Sequence, residues 1–356
     1  MQGLFFDCRY IRIDHHDGIS RFSAGLFAEL AQITKVIAIV NDLRQLEKLP
    51  AGTEFVKVSS PTSALEPLVA FRLNKLGAKV VFSPMQTIGS FGRKFKLVLT
   101  VHDLIYYRHP APPPSFVWPI KILWRLYHLS FVPQRLLLNR ADSVVTVSET
   151  TKSLIAKHQL TRRPVSVVYN AAESTVAAST PRQKPTSKQT LVYMGSFMDY
   201  KNVEVLIKGM AQLPDYQLLL LSRITDTRKA ELQALVPSGS TVEFVNGVTD
   251  DEYHQILSNA VALVSGSRDE GFGIPLVESM SRGTPVVVSD IPIFKEIGGD
   301  AATYFDQENS AAFASAVKSI SSSADWLNAS KKSVLQAQKF SWKASAKALL
   351  DLLQKI

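Results

Sequence analysis

The sequence predicts an α/β protein with two doubly wound, Rossmann-like domains that face each other across a cleft. Its 356 residues indicate two domains, since one globular domain takes roughly 150 residues. Short β-branched runs alternate with longer amphipathic stretches, which is the pattern of parallel strands joined by helices. A small, polar, proline-containing stretch at residues 171–189 interrupts this alternation. We therefore predict a first domain at residues 1–170, a linker at 171–189 and a second domain at 190–339.

The individual elements follow from the same pattern. Strands of the first domain are predicted at residues 3–7, 35–40, 54–58, 79–82, 96–100, 143–147 and 165–168, with helices between them. Strands of the second are predicted at 191–195, 217–222, 241–246, 260–265, 284–290 and 302–305. The helices between these begin near Asn202, Thr227, Asp250, Gly273 and Ser310. Residues 340–356 are amphipathic, with Trp342, Ala346, Leu349, Leu350 and Leu353 on one face, which predicts a closing helix that needs a partner surface.

Composition and charge narrow the class of protein. Hydrophobic residues make up 46% and charged residues 20%, which excludes a disordered chain or a coiled coil. The single cysteine Cys8 forms no internal disulfide, and the N-terminus lacks the pattern of a secretory signal, so we expect a cytoplasmic protein. Residues 1–170 carry 22 Lys and Arg against 11 Asp and Glu, a net charge of +11, while residues 171–356 carry 18 against 20, or −2. The basic first half favours an anionic partner.

The most specific motif is SRDEGFGIPLVESM, which follows a predicted buried strand. Glu270 is therefore expected in a loop at the carboxyl end of a strand, where Gly271 and Gly273 let the backbone approach a ligand closely. Pro275 suits the first turn of a helix, whose amides and positive dipole end can bind a diphosphate. Glu278 lies about one turn further, so its carboxylate can reach hydroxyl groups near that diphosphate. The pattern favours a ligand with hydroxylated groups on both sides of a diphosphate.

These residues resemble those of the family 4 glycosyltransferases, retaining enzymes with the two-domain GT-B fold. Glu270 and Glu278 match the E-x7-E signature of that family, and the resemblance covers essentially the whole chain, because other landmarks follow in the expected order. It implies transfer of a sugar from a UDP- or GDP-type nucleotide sugar to a saccharide or lipid-linked acceptor. It also implies retention of anomeric configuration without a metal or other cofactor. In this family the first acid contacts hydroxyls of the donor sugar and the second binds the ribose.

A second landmark, MGSFMDYKN, ends the first strand of the second domain. Lys201 before a helix can reach a phosphate, and Asn202 can cap that helix. Members of the family usually carry an Arg directly after the glycine and a Lys five residues later, both binding the diphosphate. Lys201 matches, but the Arg position is Ser196, which removes a bidentate phosphate clamp. Arg223, which follows the next predicted strand, is the candidate replacement, and the alternative role for it is a surface ion pair.

Two landmarks lie in the first domain. His102 and Asp103 follow a buried strand, and the resemblance implies that His102 contacts the donor sugar, whereas a strand-end His is otherwise often structural. Asp103 is interpreted as orienting this loop or His102. Gly18 and the helix after it match the glycine loop that approaches the donor phosphates and sugar. The C-terminal helix of the family packs on the first domain, which carries the acceptor side, and we expect the same of residues 340–356.

The predicted site combines these landmarks. We interpret His102, Lys201 and Glu270 as catalytic. Donor contacts are predicted at Gly18, Asp103, Ser196, Lys201, Asn202, Arg223, Gly271, Phe272, Gly273, Ile274, Pro275, Leu276 and Glu278. In this interpretation Lys201, Arg223 and the amides from Gly273 to Leu276 stabilise the departing diphosphate.

Other functions have weaker support. The sequence has no P-loop, no H-E-x-x-H, no G-x-S-x-G and no complete dinucleotide fingerprint. It has no aromatic-rich basic RNA-binding motif, so no nucleic-acid partner is expected. Two alternatives remain, a GT-B-fold epimerase or phosphorylase and a non-catalytic sugar-nucleotide-binding protein. Ser196 argues mildly for the non-catalytic alternative.

Residues 115–135 form a basic amphipathic segment interrupted by Pro133. Lys121, Arg125, His128 and Arg135 follow a helical spacing opposite a broad apolar side. In the favoured interpretation the apolar side packs into the core of the first domain. The alternative is an interfacial helix on an anionic membrane surface, which suits a lipid-linked acceptor and places the protein at the inner face of the membrane.

Overall fold

The structure is a computed structural model that describes residues 2–14, 17–112, 117–172, 182–185 and 189–356. The chain divides into two compact units. Unit 1 comprises Met1–Ala171 and Ser341–Ile356, and unit 2 comprises Ala172–Phe340. Of the predicted linker at 171–189, residues 173–181 and 186–188 lie outside the described part of the chain.

Unit 1 is built on a parallel sheet, because its strands are joined by crossover helices. The described strands are β1 (Leu4–Asp7), β2 (Ile37–Val40), β3 (Phe55–Lys57), β4 (Val80–Ser83), β5 (Lys96–Val101), β6 (Ser143–Thr146) and β7 (Val165–Val167). Their spatial order is β3-β2-β1-β4-β5-β6-β7, and Phe5 of β1 pairs with both Ile37 and Val81. The strand order therefore reverses between β1 and β4, the position where open α/β sheets bind ligands.

The helices of unit 1 cover this sheet, whose central strands β1, β4, β5 and β6 are almost wholly buried. They are α1 (Gly18–Ile33), α2 (Val69–Lys75), α3 (Ile105–Arg108), α4 (Trp118–His128), α5 (Val132–Leu138), α6 (Glu149–Lys157) and the closing α14 (Trp342–Lys355), with 3-10 turns at Leu43–Lys48 and Glu66–Leu68. The predicted closing helix packs against α1. Trp342, Ala346 and Leu349 of α14 are buried in this contact, as the apolar pattern predicted.

Unit 2 repeats the architecture with a parallel sheet of six strands among the described residues. These are β8 (Gln189–Tyr193), β9 (Tyr216–Leu220), β10 (Thr241–Phe244), β11 (Ala262–Ser265), β12 (Val286–Ser289) and β13 (Ala302–Phe305). Their order is β10-β9-β8-β11-β12-β13, which reverses between β8 and β11. Leu191 of β8 is aligned with Ala262 of β11, so the loops after these two strands open at the same edge of the sheet.

The helices of unit 2 are α7 (Val203–Gly209), α8 (Asp226–Gln233), α9 (Asp250–Asn259), α10 (Ile274–Ser281), α11 (Pro292–Gly298), α12 (Ser310–Ser319) and α13 (Ser323–Ala337). Short 3-10 turns occur at Asp199–Lys201, Met210–Gln212 and Gly299–Ala301. The predicted fold class is confirmed, and the helix starts lie within one residue of the predicted ones. The sequence analysis did not identify α11 and α13, because neither has a long apolar stripe. Instead, Trp326 of α13 is fully buried and donates from Nε1 to the carbonyl of Val261 at 2.7 Å.

The favoured interpretation of residues 115–135 is wrong. Ser115 and Phe116 lie outside the described residues, and the rest of the segment forms α4 and the start of α5. No residue of α4 is buried, so its apolar side does not enter the core of unit 1. In α5 only Gln134 and Leu138 are buried, and Leu138 joins the core cluster of Val101, Val144 and Ile155. Among the described residues, no helix has the length and apolar character needed to cross a membrane.

Candidate functional site

The switch point of unit 2 brings two predicted residues together. Lys201 lies in the turn after β8 and Glu270 in the loop after β11, the two strands between which the order reverses. Their side chains form an ion pair, with Nζ of Lys201 2.6 Å from Oε1 of Glu270. Ser267 also donates to Oε1 at 2.9 Å. Within the described residues Oε2 of Glu270 accepts no hydrogen bond, so this oxygen is available to a ligand hydroxyl.

Two residues tie these loops together. Asn202 adopts the left-handed conformation at φ 47°, and its amide donates to the carbonyls of Gly266 at 3.1 Å and Gln307 at 2.6 Å. The predicted side-chain cap on α7 is therefore wrong, because Nδ2 donates to these two carbonyls and the side chain makes no capping hydrogen bond to α7. Arg268 donates from Nη1 to the carbonyl of Asp199 at 3.1 Å and pairs with Glu308. Sequence analysis missed Arg268, whose partners lie far away along the chain.

The start of α10 offers fewer amides than the sequence analysis assigned. Gly273 precedes the helix at φ 92°, a conformation that favours glycine, and no side chain caps the helix. Pro275 has no N–H, and the amide of Leu276 already donates to the carbonyl of Gly273 at 2.9 Å. Of the four residues, only Gly273 and Ile274 retain backbone N–H groups without a partner among the described residues. These two amides are the donors that an anion at the helix N-terminus can use.

Other residues of the E-x7-E segment are more enclosed. Glu278 is only 3% exposed, in the middle of α10, and its own carbonyl accepts from Nη1 of Arg282 at 3.0 Å. Phe272 is also buried and meets Phe340 edge to face at 5.6 Å between ring centroids. Glu270 is therefore partly exposed, whereas Glu278 has only a small exposed surface through which a ligand could be reached.

The candidate phosphate arginine follows the neighbouring strand. The amide of Gly195 donates to Oγ of Ser222 at 3.1 Å, so the loops after β8 and β9 lie side by side. Ser196 and Arg223 are both exposed in these loops. The ion-pair alternative for Arg223 finds no support, because its guanidinium has no acidic or hydrogen-bonding partner among the described residues. The stem of Arg223 lies against Gly247, where an added Cβ would be 3.1 Å from Cγ of Arg223.

In unit 1 the strand-end histidine is held in one tautomer. Nε2 of His102 lies 2.7 Å from the carbonyl of Pro84, and a carbonyl only accepts, so Nε2 carries the proton. Burial lowers the pKa of His102 below its usual value of 6.5, which keeps the ring neutral near pH 7. Nδ1 is therefore an acceptor. The ring of Phe22 meets the imidazole edge to face at 5.1 Å.

The remaining predicted residues of unit 1 have local roles. Oδ1 of Asp103 accepts from the amide of Ile105 at 3.0 Å, which agrees with the loop-orienting role assigned to it. Gly18 begins α1, but the helix is capped by Asp17, whose carboxylate accepts from the amide of Ser20 at 2.9 Å. A carboxylate therefore already occupies this helix N-terminus, and the donor contact at Gly18 stays a prediction.

A buried ionic network at the end of β1 was not anticipated from the sequence. Arg9 donates to both carboxylate oxygens of Asp7 and to Glu66, and the amide of Gly89 also donates to Glu66 at 2.8 Å. Asp7 and Arg9 are close in sequence, but no local signal marks Glu66. The network fixes the loops after β1 and β4. In the described part of the chain, no group of three His, Cys, Asp or Glu side chains is placed to hold a metal ion.

Neutral, buried His102 predicts a pH dependence of stability. As pH falls below about 6.5, the unfolded chain binds a proton that folded His102 resists, so the free energy of unfolding decreases. Above that pH the contribution is complete. Urea titrations of the wild type and of His102→Gln across this range measure it, since the glutamine variant lacks the titration. Parallel pH profiles for the two proteins would contradict the burial of a neutral imidazole.

Comparison with known proteins identifies the family. The model of glycosyl transferases group 1 matches residues 177–353, and the model of glycosyltransferase family 4 matches residues 44–175. The O-antigen chain mannosyltransferase RfbU of Salmonella typhimurium is 30% identical over 321 residues, which cover 85% of this chain and 87% of that protein.

Two further comparisons give a partial sequence match and a solved structure with the same fold. A GDP-mannose:cellobiosyl-diphosphopolyprenol alpha-mannosyltransferase of Xanthomonas campestris is 27% identical over 165 residues, 44% of this chain and 43% of that protein. A sucrose-phosphate synthase from Thermosynechococcus elongatus has the same fold, with a TM-score of 0.76 at 18% identity over 99% of this chain and 98% of that one. Together with the two doubly wound units, these matches show that the chain belongs to the family 4 glycosyltransferases of the GT-B type.

Proposed function

We propose that the protein transfers a mannosyl residue from a nucleotide diphosphate mannose to a saccharide or lipid-linked acceptor, with retention of anomeric configuration. One observation carries the proposal, namely the Lys201–Glu270 pair at the switch point of unit 2. It places a cation and a half-satisfied carboxylate at the edge where such sheets bind nucleotides. Relatives named as mannosyltransferases support the choice of sugar, and the GDP-mannose named for one of them favours GDP over UDP.

The residues divide the work by charge. Lys201 and the amides of Gly273 and Ile274 are donors suited to the diphosphate, on which negative charge grows as the bond to the anomeric carbon breaks. Arg223 is an exposed cation on the adjoining loop that can add to this stabilisation. Glu270 positions the sugar by accepting from a hydroxyl through Oε2, while Oε1 stays with Lys201 and Ser267. In unit 1, Nδ1 of His102 is a hydrogen-bond acceptor, the kind of group that the predicted contact with a sugar hydroxyl needs.

The transfer itself needs no protein nucleophile in this proposal. The bond from the anomeric carbon to the diphosphate breaks, and the acceptor oxygen bonds to the same face of that carbon. The proton of the acceptor hydroxyl passes to the departing diphosphate, so the charges balance. Glu270 is held at one oxygen by Lys201 and acts by orientation.

Product stereochemistry tests the proposal. The enzyme is incubated with GDP-mannose and an acceptor glycoside, and NMR of the anomeric carbon reports the configuration of the new linkage. An α-linked product from the α-linked donor supports retention, and a β-linked product contradicts it. Incubation without acceptor identifies an epimerase, which alters the donor alone, and a phosphorylase, which requires phosphate. A non-catalytic protein leaves the donor intact even when acceptor is present.

Cations from the protein support transfer without a metal. Lys201 supplies positive charge, and the α10 amides supply hydrogen-bond donors, at the diphosphate that a divalent ion would otherwise bind. We expect unchanged turnover after EDTA treatment and dialysis. Activity that falls with EDTA and returns with Mg²⁺ or Mn²⁺ would overturn this part of the proposal.

Alanine substitutions of the two acids of the E-x7-E segment are expected to change different kinetic quantities. Glu278→Ala raises the dissociation constant for the donor, because the ribose loses a charged hydrogen-bond partner. Glu270→Ala mainly lowers turnover, because the sugar is misplaced. Charged hydrogen bonds contribute roughly 1.5 to 3 kcal/mol, so each effect is about tenfold or more. Calorimetric titration with GDP and GDP-mannose, alongside steady-state kinetics, separates them. Unchanged donor binding in Glu278→Ala refutes the ribose contact.

A further inference from the structure

The outer surface of α4 and α5 carries apolar side chains that do not pack on the rest of unit 1. We define the apolar patch as the side chains of Trp118, Leu123, Leu126, Leu129, Val132 and Leu136. Trp118 is 74% exposed and Leu129 77%, and all six side chains are largely exposed. Large hydrophobic residues scattered singly on a surface need no explanation, but six on two helices that follow each other in the chain are more than such scatter and favour an apolar partner.

The side on which α4 packs against unit 1 explains this exposure. Trp124 stacks edge to face on Tyr106 at 5.2 Å, and His128 packs on Tyr107 at 4.9 Å, so the aromatic side of α4 faces the protein. Nδ1 of His128 also bonds to the carbonyl of Trp124 at 2.8 Å. The aliphatic side of the same helix therefore points outward. This is the reverse of the usual arrangement, in which a surface helix buries its aliphatic stripe.

The charge around the patch has one sign. No Asp or Glu occurs between Asp103 and Asp142, whereas Lys121 and Arg125 lie on α4. Among the described residues neither Lys121 nor Arg125 has an ion-pair or side-chain hydrogen-bond partner. Arg135 is different, because it donates to the carbonyls of His158 and Gln159 and anchors α5 to the body of unit 1. The patch thus combines aliphatic surface with two uncompensated cations.

We propose that this patch docks unit 1 on a bilayer that contains anionic lipids. Aliphatic side chains beside uncompensated Lys and Arg match the boundary between acyl chains and anionic headgroups. The helix α4 has 11 residues, and at about 1.5 Å per residue its length of roughly 16 Å is about half of the hydrocarbon core. It therefore lies in the interface plane.

A second copy of the chain is a poorer occupant. A two-fold interface would place the same patch on itself, so Lys121 and Arg125 of one copy would approach those of the other. The segment offers no acidic residue to offset that repulsion. Anionic lipid headgroups supply the missing charge, and this complementarity favours the bilayer.

Cosedimentation with vesicles tests the proposal without using activity. The full chain is mixed with vesicles of phosphatidylcholine alone or of phosphatidylcholine with phosphatidylglycerol, at low and high salt. We expect the protein to pellet with the anionic vesicles at low salt and to bind less at high salt. Trp118→Ser/Leu123→Ser should reduce the partition coefficient about tenfold or more on anionic vesicles. Lys121→Gln/Arg125→Gln should reduce it roughly fivefold per charge.

Matched controls come from α13 of unit 2. Leu335 is 65% exposed, and Lys331 and Lys332 on the same helix are exposed too. Leu335→Ser and Lys331→Gln/Lys332→Gln remove the same chemistry from another surface and should bind vesicles like the wild type. Thermal unfolding of every variant checks that it is folded, and the exposed positions predict that all of them are.

Three results would overturn the proposal. They are protein that remains in the supernatant with anionic vesicles at low salt, equal losses from the α13 controls, and a concentration-dependent dimer abolished by Trp118→Ser/Leu123→Ser without vesicle binding. The docking surface does not depend on the proposed function. Only one consequence does, namely that the enzyme meets a lipid-linked acceptor at the membrane. Vesicle binding without mannosyl transfer would therefore support the docking surface and contradict the proposed function. Transfer without vesicle binding would contradict the docking surface.

Discussion

Lys201→Ala is expected to lower kcat for the proposed mannosyl transfer by about 100- to 1000-fold, the usual loss when a preorganised donor to a developing anion is removed. The side chain lies at the switch point of unit 2, within 2.6 Å of Glu270. Among the described residues, it is a side-chain cation of the predicted diphosphate site that an ion pair between the loops after β8 and β11 holds in place. Its loss is felt most when the leaving group carries its full charge, so donor affinity should change less than turnover.

The ion pair calls for a control, since Lys201→Ala also leaves Glu270 without its partner. A half-buried carboxylate without a counter-ion disturbs the loop by itself. Glu270→Gln and the double variant Lys201→Ala/Glu270→Gln complete a cycle that isolates the interaction between the two residues. Steady-state kinetics and calorimetric GDP binding are measured for all four proteins. Turnover restored in the double variant would mean that Lys201 only neutralises Glu270, and the leaving-group role would fail.

The sheets and most crossover helices could be predicted because their signals are local. A buried parallel strand is a short run of apolar residues, and the turn before α10 is announced by Gly273 and Pro275. The side of α4 that packs on unit 1 could not be predicted in this way. Its hydrophobic pattern is the same whether the apolar side faces the core or solvent. The side of α4 that packs on the protein is set by the aromatic contacts of Trp124 and His128 with α3. Such contacts depend on tertiary packing.

The candidate site divides along the same line. The sequence and its family resemblance identify Glu270 and Lys201 one by one, while their ion pair depends on β8 and β11 being neighbours in the sheet. The predicted capping role of Asn202 is wrong for a related reason. Its position before a helix indicates a cap, but Nδ2 donates to carbonyls of two other loops and the side chain makes no bond to the helix amides. Local patterns thus predict which elements carry the chemistry, and strand order decides which residues meet.

The helix pair α1 and α14 predicts the largest effect on stability. Trp342→Ala is expected to destabilise unit 1 by about 3 to 5 kcal/mol, because it removes a large buried ring. Trp342 lies against Gly25 of α1, and its ring is 6.1 Å from that of Phe22, which in turn contacts His102. Urea unfolding followed by circular dichroism measures the loss. Trp118→Ala is the matched control, since that tryptophan is 74% exposed and its removal should change stability little.

Gly25 provides a test in which the sign of the effect reverses. A Cβ at Gly25 would lie 2.5 Å from the ring of Trp342, so Gly25→Ala forces the two helices apart and should cost roughly 1 to 3 kcal/mol. In the Trp342→Ala background the space is empty, and the same substitution removes a glycine from the interior of α1. There it should stabilise the protein by about 0.5 to 1 kcal/mol, the helix preference of alanine over glycine. Additive effects of the two substitutions would show that α14 does not pack on α1 through this contact.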